Sequence, residues 1–200
     1  MWGLDEEGKP SSGAHDSPGV SGYISVVTQL IENHACDVVV DLGCGDFKIG
    51  QHIVSHANSY IACDVSKVIL AQNKNNFDLP NVDFRQLDLS QDSLPQGDIA
   101  TVREVLQHLS NESIQQFINE INTKQPFKYL LVTEHNPMGK FTPNIDKPSG
   151  PHIRAYLNSG VVLHESPFNL NYKTKTIVYE DEFDVAAGRA VVISALYELK

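Results

Sequence analysis

The sequence predicts an α/β fold: one doubly wound, mostly parallel sheet that ends in an antiparallel hairpin. Three observations predict it. Runs such as "DVVVDLG" are apolar and β-branched without alternation, the pattern of strands covered on both faces. They alternate with segments of helical period, which is how parallel strands are joined. The chain closes on two strand-like runs separated by a turn containing Gly188.

The elements follow in chain order. Residues 1–19, "MWGLDEEGKPSSGAHDSPG", are rich in Gly, Ser, Pro and acids and predict a flexible N-terminal arm or lid, with 20–200 as the folded domain. From Val20 to His34 the apolar residues Val20, Tyr23, Ile24, Val27, Leu30 and Ile31 recur at helical spacing, which predicts an amphipathic helix. "DVVVDLG" is the first strand, and Phe47 to about Ser55 a short helix. "SYIACD" is the second strand, "SKVILAQNKNN" a helix, "VDFRQLD" the third strand and "DIATVRE" the fourth. "SNESIQQFINEINTK" is a helix opened by a Ser-x-x-Glu-like cap with Ser110 and Ser113, and "FKYLLVTEH" is the fifth strand. Residues 136 to 171 are dense in Pro, Gly and Asn. A loop that long inside a compact domain is either a lid or binding loop, or else a disordered segment or an ordered covering of the sheet edge. "KTIVYEDEFD" and "RAVVISALYEL" then form the closing hairpin.

Composition narrows the function. A chain of 200 residues, 41% of them hydrophobic, suits one compact domain, which at this size buries roughly two thirds of its unfolded surface. A net charge of −10 without a Lys/Arg cluster disfavours a nucleic-acid partner, because displacing counterions from a phosphate backbone takes clustered cations. No apolar stretch approaches the roughly 20 residues of a membrane span, and no signal core opens the chain, so a cytoplasmic protein without membrane attachment is expected. Cys36, Cys44 and Cys63 lack any Cys-x-x-Cys pairing and read as reduced core thiols rather than a disulfide framework or zinc site. His52 and His56 share a helical face, but a metal needs three or more ligands, so no metal is predicted.

The informative stretch is "VVVDLGCGDFKIG", Val38 to Gly50. Gly43 and Gly45 at the carboxyl end of the first parallel strand bare the main chain where open α/β sheets bind ligands. Asp41, Asp64 and Asp88 each close one of the first three strands, and Asp64 lies about twenty residues beyond the glycines, where an acid accepts ribose hydroxyls. A single such acid reads better as a helix cap or turn residue; three at successive strand ends, with glycines after the first, point to binding. The dinucleotide fingerprint wants a third glycine where Lys48 stands, and Asp41 and Asp46 beside the turn would repel a pyrophosphate. A ligand carrying a positive group fits better.

Together "VVVDLGCGDFKIG", "IACDVS", "FRQLDLS" and "DIATVREVLQHLS" resemble the motifs of the class I S-adenosylmethionine-dependent methyltransferases, over roughly Val38 to Glu134. The first motif has Phe47 where the commonest form has glycine. That aromatic variant resembles a branch of small methyltransferases that also carry "VLQHLSN" and a late "PFNL". The resemblance implies a Rossmann-like domain with S-adenosyl-L-methionine as cofactor. It implies Gly43 and Gly45 along the methionine moiety, Asp41 at its ammonium, Asp64 on the ribose, Asp88 and Leu89 at the adenine edge, Val65 against a ring face and Arg103 near the methionine.

Catalysis is less legible, because an activated methyl needs alignment first and a base only if the acceptor arrives protonated. The candidates near the ends of the fourth and fifth strands are His108, Glu104, His135 and Glu134. His108 leads, since imidazole titrates near neutral pH, against the alternative of a histidine packed at a helix start. The expected function is methyl transfer to a small or medium acceptor at oxygen or nitrogen. The rivals are a nicotinamide-dependent oxidoreductase and a non-catalytic module that keeps the cofactor fold.

Overall fold

The computed structural model describes residues 19–185 and 188–200. The predicted arm, residues 1–19, lies outside the described residues except for Gly19. Seven strands form one sheet in the order β3-β2-β1-β4-β5-β7-β6: β1 (Val38–Leu42), β2 (Ser59–Asp64), β3 (Val82–Gln86), β4 (Ile99–Arg103), β5 (Tyr129–Pro137), β6 (Tyr172–Val185) and β7 (Gly188–Leu199). β1 to β5 are parallel, and β7 enters antiparallel between β5 and β6, as the tail predicted. All five parallel strands therefore present their carboxyl ends at one edge of the sheet, where a reversal of strand order between β1 and β4 opens a crevice.

Two apolar layers hold the sheet. On one face α1 (Val20–Asn33) buries Tyr23, Val27 and Ile31, one per turn, together with Phe47, Ile53 and Tyr60. On the other, α4 (Asn111–Lys124) buries Ile114, Phe117, Ile118 and Ile121 beside Leu163, Phe168 and Leu170. Ser110 caps α4 by accepting the Ser113 N–H at 3.3 Å, satisfying one of the donors a helix start leaves open. α3 (Lys67–Asn76) is capped in the same way by Ser66.

Two elements differ from the sequence expectation. The helix predicted from Phe47 begins later, as α2 (Gly50–Ile53) followed by a 3₁₀ turn at Val54–His56. Phe47 has φ +62°, a left-handed conformation no helix interior tolerates. Its ring is fully buried edge-on against Tyr60, Phe77 and Phe84, at centroid distances of 5.6, 5.3 and 4.9 Å. That aromatic packing offsets the strain at a position where glycine adopts the same φ freely.

The segment after β5 is held by hydrogen bonds from its own buried side chains. Buried Arg154 donates to the Ile145 carbonyl and, at 2.6 Å, to that of Leu109. Buried Asn144 donates to the Val162 and Ser166 carbonyls at 2.9 and 3.0 Å and accepts the Val162 N–H at 2.8 Å. Lys147 Nζ and the Gly150 N–H both reach the His108 carbonyl, at 3.0 and 2.9 Å. The segment is thus stapled to the turn after β4.

Candidate functional site

The glycine turn is built by backbone bonds to β2. The N–H groups of Gly43 and Cys44 both donate to the Cys63 carbonyl, at 2.8 and 2.9 Å. Gly43 has φ +95°, and a Cβ there would lie 2.3 Å from Val105 Cγ2, so the turn closes only on a residue without a side chain. Gly45 also has positive φ, and a Cβ there would meet nothing within 4 Å. Its outer side is open, which is the bare backbone a ligand needs. Asn73, buried on α3, donates to the Gly45 carbonyl at 2.8 Å and fixes the turn from below.

The three strand-end acids are in three different states. Asp64 accepts the Gly45 N–H at 3.1 Å on one oxygen and the Ser66 N–H at 2.8 Å on the other, so it ties the glycine turn to the start of α3. With Val65 as a third backbone donor, the carboxylate still keeps acceptor capacity for a ligand hydroxyl. Burial raises its pKa, against the pull of those N–H bonds. Asp88 accepts from the Ser90 N–H and hydroxyl at 2.9 and 2.7 Å and from the Gln91 amide at 2.6 Å, which shapes the turn that carries Leu89. Val65, 40% exposed, presents an apolar side chain beside Asp64.

Asp41 accepts from the Tyr60 hydroxyl at 3.0 Å and the Thr101 hydroxyl at 3.2 Å. Burial nevertheless raises it from its ordinary 3.8 to about 6, with the two hydroxyls pulling the other way. A carboxyl raised on folding stabilises the protein fully below its unfolded pKa and loses that contribution as pH rises through its folded one. Above pH 6 the site therefore holds a costly anion. Asp41→Asn is expected to melt at or above the wild-type temperature at pH 8 without ligand, with the gain gone at pH 4. A lower melting temperature at pH 8 would contradict this.

At the ends of β4 and β5 the acid and base candidates divide. Glu104 has φ +56°, unusual for a carboxylic side chain and a kind of strain that gathers at functional sites. Its carboxylate meets Arg103 Nη2 at 2.7 Å and His135 Nε2 at 3.6 Å. Burial raises the Glu104 pKa, opposed by Arg103. Burial, with Arg103 and His108 as neighbouring cations, lowers His135 to about 4. Arg103, Glu104 and His135 thus form one cluster. His108 lies in the 3₁₀ turn Leu106–His108, near enough to act on His135, with its ring meeting the backbone of Gly150 and Pro151 and its pKa lowered by burial. Glu134 faces the other side of β5. It accepts the N–H groups of Leu106 and Gln107 at 2.8 and 3.0 Å and holds the turn after β4 in place; burial raises it to about 8 against those two bonds.

Sequence reasoning passed over Tyr23, Tyr60, Asn73 and Thr101 as site residues. Tyr60 and Thr101 alternate into the core on their strands, and only the register marks them: Thr101 pairs with Asp41 and Tyr60 with Val39, two residues before it. In the sequence Tyr23 is one more apolar position of its helix. His56, considered as half of a metal pair, instead meets Glu32 at 2.8 Å.

The donor set suits a ligand with a cationic amino group and a vicinal diol. A buried carboxyl held at an energetic cost is relieved by an ammonium, a carboxylate with acceptor capacity left takes a diol hydroxyl, and an open glycine turn admits a close backbone approach. Residues 39–124 match the family model described as "Methyltransferase domain". The fold is similar to that of the methyltransferase domain of bacterial CtHen1 (TM-score 0.63, 18% identity, 88% of this chain and 97% of that one). It is also similar to the N-methyltransferase NodS from Bradyrhizobium japonicum WM9 in complex with S-adenosyl-L-homocysteine (0.66, 12%, 93% and 90%). A third similar structure is human N-acetylserotonin methyltransferase in complex with SAM (0.58, 15%, 90% and 52%). No curated protein sequence matches the chain. Among the described residues no helix is long and apolar enough to cross a membrane.

Proposed function

We propose that this chain, whose residues 39–124 match a methyltransferase domain, is a class I S-adenosylmethionine-dependent methyltransferase that methylates oxygen or nitrogen of a small or medium acceptor. The observation that carries the reading is the Arg103–Glu104–His135 cluster beside a glycine turn and two ligand-ready acids. When bound, S-adenosylmethionine supplies a methyl group already activated by its sulfonium charge.

This chain's residues do the rest. Gly43 and Gly45 line the methionyl part, Asp41 meets its ammonium and Arg103 its carboxylate. Asp64 takes the ribose hydroxyls, Val65 packs on the base, and Asp88 with the backbone of Leu89 meets the adenine edge. His135, neutral above about pH 4, takes the acceptor's proton, and Glu104 offsets the charge that results. His108 and Glu134 position the cover and the turn after β4. The covering segment excludes water from the strand ends, which strengthens each polar contact there.

On this reading residues 20–200 form the domain that carries the site. The test is release of S-adenosylhomocysteine from S-adenosylmethionine in a screen of sugars, small acids and amines. Transfer to one of them is expected; cofactor binding with no transfer across the screen would favour the non-catalytic module.

A further inference from the structure

Tyr23 belongs to no sequence motif, yet it sits under the charge centre of the site. The Arg103 guanidinium carbon lies 5.1 Å from the Tyr23 ring centroid, a cation–π distance. Glu104 takes the same guanidinium at 2.7 Å. The group is therefore gripped by a ring and a carboxylate. Tyr23 is 3% exposed, and the Arg103 and Glu104 side chains are 9% and 10% exposed, so little solvent screens these contacts.

The hydroxyl end of Tyr23 is fixed as well. It shares a hydrogen bond with Thr133, whose Oγ1 lies 2.9 Å from Ser194 Oγ, and both partners are fully buried. The start of α1 is tied down independently, where the Tyr179 hydroxyl donates to the Gly19 carbonyl at 3.0 Å. A line of buried polar groups thus runs from β7 through β5 to α1 and ends on the face of Arg103. A tyrosine whose only task was to fill space under α1 would need neither the hydroxyl contacts nor the cation above it.

We infer that Tyr23 is a positioning residue for the cofactor's methionyl carboxylate, acting through Arg103. The inference rests on the methyltransferase reading. A guanidinium recognises a carboxylate through a planar fork, so its plane must be set before the ligand arrives. Stacking on Tyr23 sets that plane, and α1 supplies a specificity element to a site otherwise built from strand ends.

The test compares two ligands by calorimetry. S-adenosylhomocysteine carries the amino-acid end, whereas 5′-methylthioadenosine keeps the adenosine and lacks the carboxylate. Tyr23→Met is expected to weaken S-adenosylhomocysteine about tenfold or more and to leave 5′-methylthioadenosine within about twofold. Tyr23→Phe, which keeps the ring, is expected to restore most of the loss. Arg103→Gln is expected to show the same selective loss by itself, and adding Tyr23→Met to it should cost little more, since residues that act through one another are non-additive. Equal weakening of both ligands by Tyr23→Met, full additivity in the double variant, or an Arg103→Gln protein that does not discriminate the ligands would each overturn the assignment. Should Tyr23→Met not fold, Tyr23→Leu replaces it with the same two ligands: a selective loss of S-adenosylhomocysteine is expected, and equal weakening of both ligands would overturn the assignment. A wild-type protein that binds neither ligand would overturn the methyltransferase reading instead.

Discussion

His135→Ala is expected to slow methyl transfer by about 10²- to 10⁴-fold, the usual worth of a positioned general base, with S-adenosylhomocysteine affinity nearly unchanged. The side chain sits at the end of β5 with Nε2 3.6 Å from the Glu104 carboxylate. Burial and the nearby charges of Arg103 and His108 hold its pKa near 4 rather than the ordinary 6.5. The sign of the pH dependence follows. The neutral imidazole is the competent form, so kcat/KM should fall as pH drops through about 4, and it should show no step at 6.5 from this residue. Glu104→Gln removes the charge that offsets the imidazolium, and its effect should overlap with that of His135→Ala rather than multiply it, because the two act as a unit. Steady-state kinetics on an identified acceptor check this. A folded His135→Ala protein with wild-type turnover would contradict it and return the question to His108.

Asp64→Ala is expected to weaken S-adenosylhomocysteine by about 1 to 3 kcal/mol, as charge-assisted bonds to the ribose hydroxyls are lost. The same change removes the acceptor for the Gly45 and Ser66 N–H groups, which lie 3.1 and 2.8 Å from the carboxylate. A fall in the melting temperature of the ligand-free protein should therefore accompany it. Asp64→Asn separates the two effects: one oxygen still accepts an N–H, so stability should recover more than affinity. Titration calorimetry and thermal melts measure both quantities. Unchanged affinity in Asp64→Ala would remove the residue from the site.

What was legible in the sequence depended on local signals. β1, β2 and β4 are buried parallel strands, and such strands carry continuous apolar runs. Asp41 and Asp64 are adjacent to such runs, so both could be placed at one edge from sequence; Asp88 lies two residues beyond β3, an edge strand without a continuous apolar run. The helix starts at Ser66 and Ser110 were legible from local signals too. The rest depended on contacts far apart in the chain. Tyr23 is a buried member of an apolar stripe, and nothing local marks it as the residue beneath Arg103. The covering segment lacks periodicity because Arg154 and Asn144 order it by reaching carbonyls 45 and 22 residues away in sequence. Phe47 offered no helix-breaking signal, since an aromatic in a left-handed turn is stabilised only by the ring cluster it enters. Glu134 and His135 are neighbours on β5, and strand alternation alone turns one to a backbone turn and the other to the candidate active site.

The central claim is that the glycine turn and its acids bind S-adenosylmethionine rather than a dinucleotide. Titration of the wild-type protein with S-adenosylmethionine, S-adenosylhomocysteine and NADH, paired with thermal melts, tests it most directly. Both sulfur ligands are expected to bind and to raise the melting temperature through linkage, by an amount that grows with ligand concentration, while NADH does neither. Stabilisation by NADH with no response to S-adenosylmethionine or S-adenosylhomocysteine would contradict it.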